Sequence, residues 1–457
     1  MTPSPGPRDL SLDALRGWAI LGMVLSGSVA FSGALPAWMY HAQVPPPLHK
    51  FVSSLPGITW VDLVFPFFIF AMGAALPLAL SDAVVQGASA SRRVLWTGLR
   101  RCLALLFLAL FSQHMKAWVI ASPPDAGAQV LSLLAFVLLG LLLGPARSWL
   151  KLAAAAVAAV LLFTLTFADG QGFDPRRNDI ILVVLANMAL FGTALWWFTR
   201  GADWQRWAVL PFIVAVLLAT GPAAGGWTGW LQSATPAAWA YQFLFLKYLL
   251  ILVPGMQAGQ WLLQARAREG PQASTVAPAL GVLALALVVC NLSLLLAREM
   301  GWNLVLSLAG LAALWRLSRG ADLLTRQQVG AAAYLLLLGL ALESLEGGIR
   351  KDSSTFSYYF VTSGCAFLSL LVLRSMAGHP WGAAVQRFFA TQGRNPLLAY
   401  VAGSLCVLPL LHLLGLHEAW SALTGNPWLG AAKGLLFTAL VAGLVILAQR
   451  WNWIWKA

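Results

Sequence analysis

Long apolar stretches recur from one end of the chain to the other, and they limit its possible folds more than any other feature. Stretches such as GITWVDLVFPFFIFAMG and LSLLAFVLLGLLLG carry one charged residue or none. A helix crosses the hydrocarbon core of a bilayer with about 20 predominantly apolar residues. A membrane-spanning β-strand alternates apolar with polar residues, whereas these stretches are continuously apolar. The sequence therefore predicts an all-α fold, a polytopic transmembrane helical bundle.

The low charge content excludes a large water-soluble body. Of the 457 residues, 60% are hydrophobic and 10% are charged, whereas a soluble domain has about 25% charged residues. We treat residues 1–457 as a single transmembrane domain and expect about 11–14 helices to cross the membrane. The predicted spans lie near residues 12–31, 58–80, 102–120, 126–144, 150–168, 180–198, 207–222, 240–263, 277–297, 301–317, 329–345, 356–373, 397–415 and 430–449, of which 207–222 and 301–317 are the weakest.

The positions of the basic residues predict the orientation in the membrane. With the N-terminus in the cytoplasm, 18 Lys and Arg residues fall on the cytoplasmic side of these spans and eight on the other side. Cytoplasmic loops of membrane proteins are enriched in Lys and Arg. Both termini are therefore predicted to lie in the cytoplasm, and the lipid bilayer is the first expected partner of the chain.

The net charge of +13 raises the question of nucleic-acid binding, and the spacing of the charges argues against it. No basic run exceeds two residues, and no aromatic residues interleave a basic patch. The four cysteines lie inside apolar stretches, and none of the six histidines belongs to a metal-ligand spacing such as HExxH. The sequence predicts no nucleic-acid partner and no metal.

Ionisable side chains inside membrane spans are costly and often belong to functional sites. Asp62 lies just inside the second span, with no neutralising residue within one turn of its helix. It therefore needs a partner on another helix or in a wet cavity, and a structural contact between helices is the alternative to a site role. Asp13 and Arg16, three residues apart in the first span, form either an anchoring ion pair or a polar patch that contacts a cofactor or the catalytic core.

Two polar loops on the predicted extracytoplasmic side, residues 32–57 and 346–355, lie where a substrate would arrive. The first loop contains His41 and His49. Histidine serves acyl transfer as a general base or a nucleophile near neutral pH. On physical grounds alone the two histidines are equal candidates.

Further along the chain, three polar positions have structural interpretations. Glu343 and Glu346 are expected to form an ion-pair cluster with basic residues of the loop 346–355. Asn395, in TQGRNPLLAY, suits the N-cap of a helix with Pro396 at its first position.

The opening of the chain resembles a known family. LSLDALRGWAILGMVL, followed by LPGITWVDLVFPFFIFAMGAALPLAL, is similar to the start of the heparan-α-glucosaminide N-acetyltransferases and their bacterial inner-membrane relatives. The shared pattern is D-x-x-R-G in the first helix, a histidine in the following loop, and G-x-T-x-x-D-L-V-F-P-F-F. Later segments, GGIRKDSSTFSYYFVTSG and GRNPLLAY, resemble the family's C-terminal motifs over shorter lengths.

The resemblance implies a transmembrane acyltransferase that moves an acetyl group from cytoplasmic acetyl-CoA to an extracytoplasmic amino sugar or glycan. His49 falls nearest to the family's active-site histidine and Asp62 matches its motif aspartate, so these two are the predicted catalytic residues. Arg16 matches the first-helix arginine and is assigned to the cofactor. His41, Lys351 and Asn395 are assigned to the substrate, and the expected setting is the bacterial inner membrane, with a homodimer left open.

Two alternatives remain at this point. A permease for amino sugars with the same fold would use Asp62 and Glu343 for binding or proton coupling. A structural subunit of an envelope-polysaccharide machine would neither catalyse a reaction nor transport a substrate. The chain departs from the family at Gly27, where the eukaryotic enzymes have Asn, and in a longer stretch between His49 and Asp62.

Overall fold

The structure, a computed structural model, describes residues 10–29, 35–85, 90–219, 226–235, 237–269 and 276–456. Within these ranges all regular elements are helical and no β-strand occurs. The first eight helices are α1 (Leu10–Ser28), α2 (Trp60–Val85), α3 (Ser91–His114), α4 (Ala117–Ile120), α5 (Ala126–Leu143), α6 (Ser148–Thr164), α7 (Ile180–Phe198) and α8 (Asp203–Leu218). The others are α9 (Trp227–Ser233), α10 (Leu249–Glu269), α11 (Pro278–Ala297), α12 (Met300–Ser318), α13 (Leu323–Leu345), α14 (Phe356–Met376), α15 (Pro380–Arg394), α16 (Pro396–Ala402), α17 (Leu408–Leu413), α18 (His417–Ala422) and α19 (Pro427–Arg450).

Several helices begin where the sequence supplies a cap. The side chains of Asp125, Asp179 and Asp322 accept hydrogen bonds from backbone N–H groups in the first turns of α5, α7 and α13. Such caps satisfy donors that the helix itself leaves unpaired. Pro278 and Pro380 occupy the first positions of α11 and α15, where a missing N–H costs nothing.

Eleven helical segments in the described part of the chain are long and apolar enough to cross a membrane. Their outward surfaces are apolar, as the exposed fractions of Val282 (69%), Leu435 (60%) and Leu345 (81%) illustrate. A segment surrounded by lipid must satisfy its backbone hydrogen bonds internally, and a helix does so within itself. The prediction of an all-α polytopic bundle is confirmed, and the chain is a multi-pass membrane protein.

The predicted spans and the helices differ in detail. The weakly predicted span 301–317 corresponds to α12, which is one of the eleven membrane-spanning candidates. The other weakly predicted span, 207–222, corresponds to α8, which has 16 residues and is not one of them. Helix α1 has 19 residues and also lies outside the eleven, because Asp13 and Arg16 lower its hydropathy. Helix α15 is an addition that the apolar pattern did not predict, since one of its faces is polar.

The helices group into two compact units. The first comprises residues up to Ala79, Leu250–Pro396 and Thr424–Leu435. Within it α13 packs on α14, and α1 packs on α15. Helices α2 and α10 approach closely, and a Cβ added at Gly73 would lie 2.2 Å from the Leu252 carbonyl oxygen.

Two ion pairs tie helices together at opposite ends of α13. At its N-terminal end, Arg374 of α14 donates to Asp322 across 3.1 Å and also to Gln328 across 2.8 Å. At its C-terminal end, Arg298 donates to the buried carboxylate of Glu343 across 2.5 Å. The first unit therefore has two distinct polar ends, and the candidate site lies at the Glu343 end.

The second unit comprises Leu80–Leu249, Leu397–Leu423 and the residues from Leu436 onwards. Its helices α3 and α7 pack closely. Asp179, the cap of α7, also accepts hydrogen bonds from the Tyr400 hydroxyl at 2.9 and 2.8 Å. The buried His114 packs against Phe167 and Phe173 and bonds the Leu110 carbonyl, which makes it a packing residue.

Candidate functional site

Asp62 is a buried carboxylate at the N-terminal end of α2. Its side chain is 0% exposed, and its Oδ2 atom accepts the backbone N–H groups of Thr59 at 3.0 Å and Ala42 at 3.2 Å. The Thr59 hydroxyl lies 3.4 Å from the same oxygen and donates to the Tyr40 carbonyl at 2.6 Å. The two N–H donors, and the N-terminus of α2 at which Asp62 lies, favour the ionised form of a carboxylate. They also fix the loop that carries His41 against the start of α2.

His41 lies between two carboxylates. Its Nδ1 atom is 2.5 Å from Oδ1 of Asp62, and its Nε2 atom is 3.1 Å from Oδ2 of Asp352. The His41 side chain is 15% exposed and that of Asp352 is 51% exposed. One ring nitrogen thus points into the protein and the other towards the half-exposed carboxylate.

The two neighbouring carboxylates determine how His41 titrates. Burial acts to lower the pKa of His41, but hydrogen bonds to Asp352 and Asp62 and the charge of Asp62 outweigh it. The pKa of His41 is consequently raised above its ordinary value, although Lys351 opposes the rise. The protonated form of the ring is therefore more favoured than in a free histidine.

Lys351 is the cation of the site. Its Nζ atom lies 3.8 Å from Oδ1 of Asp62, and its side chain is 25% exposed. On α14, the Tyr358 hydroxyl donates to the backbone carbonyl of Asp62 at 2.8 Å. The segment 346–355 and the start of α14 are thereby held against α2.

Gln43 connects the two loops of the site. Its side chain is fully buried, its Oε1 atom accepts the Asp352 backbone N–H at 2.8 Å, and its Nε2 group donates to the Asp352 carbonyl. The same Nε2 group donates to the Ser53 carbonyl at 2.8 Å. The backbone of Asp352 is fixed by these bonds, whereas its carboxylate remains half exposed.

His49, one of the two predicted catalytic residues, has a different environment. Its ring packs edge-on against Tyr40 with the ring centroids 4.5 Å apart, and its backbone has a φ of +48°. Among the described residues that contact the Asp62 carboxylate, His41 is present and His49 is not. The structure thus brings together Asp62, His41 and Lys351 of the predicted set.

Arg16 and Asn395 lie apart from this cluster. The Arg16 guanidinium donates to the carbonyls of Ala71 at 3.2 Å and Gly393 at 3.4 Å and pairs with Asp13 at 3.4 Å. These contacts join α1, α2 and α15, as the anchoring interpretation expected. A contact of Arg16 with a cofactor stays a prediction.

Asn395 is fully buried between α15 and α16, directly before Pro396. This is the position of the predicted helix cap. Its assignment to the substrate stays a prediction, and so does the absence of a metal. Among the described residues no group of three or more His, Cys, Asp or Glu side chains has an arrangement that holds a metal ion.

Asp352 and Gln43 belong to the site although the sequence did not single them out. Asp352 directly follows Lys351, so the proximity of a predicted site residue was an available signal. The sequence contains no signal for Gln43, because a glutamine in a loop belongs to no periodic pattern. Its role depends on a contact with Asp352, which is 309 residues away in the sequence.

Residues 8–262, more than half of the chain, match a family described as a domain of unknown function (DUF5009). The chain belongs to this family. None of the curated proteins matches the chain. The matched region of the DUF5009 family includes His41, Gln43 and Asp62 and ends before Lys351 and Asp352.

Proposed function

We propose that this chain is a membrane-embedded acyltransferase that moves an acetyl group from cytoplasmic acetyl-CoA to an extracytoplasmic amino sugar or glycan. The observation that carries the proposal is the His41 imidazole, hydrogen-bonded through Nδ1 to the buried Asp62 carboxylate. A carboxylate on one ring nitrogen fixes the tautomer and leaves the other nitrogen to exchange protons with a substrate. The resemblance of the first two helices to N-acetyltransferases supplies the acetyl donor and the amine acceptor.

His41 takes the role that was predicted for His49. Its Nε2 atom faces the half-exposed Asp352 carboxylate on the loop side, where a substrate would reach the ring once that carboxylate moves. Asp62 is the positioning residue, because it holds the ring through Nδ1 and stabilises the positive charge that forms when Nε2 accepts a proton.

The proposed reaction is a direct transfer. The neutral acceptor amine attacks the thioester carbonyl carbon, so that a C–N bond forms and the C–S bond breaks. Nε2 of His41 accepts the proton that the amine loses and then delivers it to the leaving sulfur, which departs as the CoA thiol. Acceptor, donor and protein balance in atoms and charge, and general base catalysis of this kind contributes about 10²–10⁴ in rate.

Asp352 must move away before an acceptor can reach His41. Its backbone is fixed by Gln43 and its side chain is 51% exposed, so a rotation of the side chain alone frees Nε2. Lys351 remains beside Asp62 and offers a positive charge to the carbonyl oxygen that becomes anionic during the attack. Both residues of the 346–355 loop therefore act at the acceptor side.

The proposed site lies on the extracytoplasmic side of a bacterial inner membrane. The predicted orientation of the spans puts the 32–57 and 346–355 loops there. Acetyl-CoA is the co-substrate that enters from the other side, so its pantetheine arm must extend inwards to bring the thioester to His41, and Arg16 stays a proposed contact to it.

The test is a reconstituted assay. Purified protein in proteoliposomes is supplied with acetyl-CoA on one side and glucosamine on the other, and mass spectrometry measures free CoA and acetylated sugar. We expect equal amounts of both products, dependent on both substrates. Glucosamine that accumulates inside the vesicles without acetyl-CoA, in response to a proton gradient, would instead support the permease. If folded protein gives neither acetylated sugar nor uptake of glucosamine, the structural-subunit interpretation is the one that is supported.

A further inference from the structure

A cleft of about 640 Å³ lies in the first unit where α12 ends and α13 begins. Both helices are among the eleven that are able to span a membrane. The turn between them, residues 319–322, therefore lies where the hydrocarbon core gives way to water. The cleft is lined by Trp315, Ser318, Arg319, Leu323, Arg326, Gln327, Gly330 and Ala331.

The cleft has a positive charge that no acid compensates. Arg319 and Arg326 are both exposed, and neither forms an ion pair within the described residues. The acid nearest in sequence, Asp322, is already engaged by Arg374 at 3.1 Å and caps α13 through the Thr325 N–H. Two guanidinium groups consequently face the cleft, and guanidinium groups favour phosphate oxygens as partners.

Apart from Ser318 and Gln327, the rest of the cleft is apolar and suits a lipid. Trp315 is 50% exposed, and its ring lies over Gly330, where an added Cβ would be 3.4 Å from the ring. Leu323 is 40% exposed, and Ala331 extends the apolar surface along α13. Exposed tryptophans are enriched at the membrane interface, where the ring is apolar and the N–H is polar.

We propose that this cleft binds an anionic glycerophospholipid, with the phosphate on Arg319 and Arg326 and the glycerol and acyl chains along Trp315, Leu323 and Ala331. Arg319 and Arg326 lie within about one helical turn of the 319–322 turn, whereas Gly330 and Ala331 lie a further turn along α13, which is the polarity of a phospholipid. A free phosphate compound such as CoA shares the headgroup chemistry but lacks acyl chains to cover the apolar floor. The inference is independent of the proposed transferase activity.

The experiment uses the full chain, purified in detergent and examined by native mass spectrometry with added phosphatidylglycerol, phosphatidylcholine or CoA. The test variant combines Arg319→Gln and Arg326→Gln. The control is Arg316→Gln, because Arg316 is exposed in the last turn of α12, just before Arg319, but does not line the cleft. Exposed positions support little packing, so the folding of each variant is expected to be unchanged.

We expect phosphatidylglycerol to bind in preference to phosphatidylcholine and the double variant to lose about thirtyfold in affinity. Each basic residue near an anionic membrane surface contributes about 1 kcal/mol, and two such contributions correspond to that factor. The control should bind as the natural chain does. Equal binding of the two lipids, an unchanged double variant, or binding of CoA in place of phosphatidylglycerol through these two arginines would overturn the proposal.

Discussion

Oδ2 of Asp352 lies 3.1 Å from Nε2 of His41, on the side of the ring opposite to Asp62. The reactive nitrogen of the proposed base is thus covered by a carboxylate that raises its pKa. A base works only in its neutral form, so acetyl transfer should decline as the pH falls through the raised pKa of His41.

Asp352→Asn should move this acidic limb to lower pH. The carboxylate favours the protonated ring, and its removal lowers the pKa of His41, so the neutral form persists at lower pH. The measurement is the pH dependence of kcat/KM for acetyl transfer. Glu299→Gln, an exposed acid of the same unit that does not contact His41, is the control and should leave the profile unchanged. An unmoved limb in Asp352→Asn, or a shift to higher pH, contradicts the role of this carboxylate.

Asp62→Asn should reduce kcat by about 10²–10⁴ because an amide neither fixes the His41 tautomer in the same way nor stabilises the imidazolium. The loss of charge beside the N–H groups of Thr59 and Ala42 should also lower stability, by about 1–3 kcal/mol. Thermal unfolding of the purified variant separates the two effects. Asp13→Asn is the comparison, and equal, mild losses in both variants would make Asp62 a structural residue.

Gly17→Ala should destabilise the contact between α1 and α15. An added Cβ at Gly17 would lie 1.8 Å from the Phe389 carbonyl oxygen, which side-chain rotation cannot relieve. Overpacking of this kind costs about 1–3 kcal/mol. Gly27→Ala on the same helix is the control, because no heavy atom lies within 4 Å of its added Cβ. Melting temperatures in detergent should fall for Gly17→Ala alone, and equal temperatures for both would refute the packing.

Arg298→Gln should leave Glu343 without its cation. Glu343 is 3% exposed and Arg298 is about a third exposed. We therefore expect the free energy of unfolding to fall by about 3 kcal/mol, the lower end of the range for breaking a buried ion pair. Adding Glu343→Gln should restore much of this stability by removing the buried charge. If the double variant is no more stable than Arg298→Gln, the penalty has another origin.

Much of the fold follows from the sequence because hydropathy reports directly on membrane burial. The predicted span boundaries are least accurate where charged and apolar residues occur in the same helix. Helix α3 begins at Ser91, ahead of the predicted span at 102, since Arg92, Arg93 and their neighbours are helical although they are not apolar. Hydropathy alone would assign this charged first turn of α3 to a loop.

The site is predictable in part for a similar reason. Asp62 is identifiable because a charge in an apolar span is conspicuous, and Lys351 because of a motif resemblance. The choice between His41 and His49 depends on the path of an irregular loop, which the N–H of Ala42 and the side chain of Gln43 fix through contacts remote in sequence. No local pattern encodes such contacts.

The most direct test compares the two histidines. Release of free CoA from acetyl-CoA in the presence of glucosamine is measured for His41→Ala and His49→Ala, with melting temperatures to confirm that both variants fold. We predict that His41→Ala loses at least about a hundredfold in rate, whereas His49→Ala remains close to the natural protein. An active His41→Ala, or a His49→Ala variant that is folded and inactive, would contradict the assignment of His41 as the catalytic base that Asp62 positions.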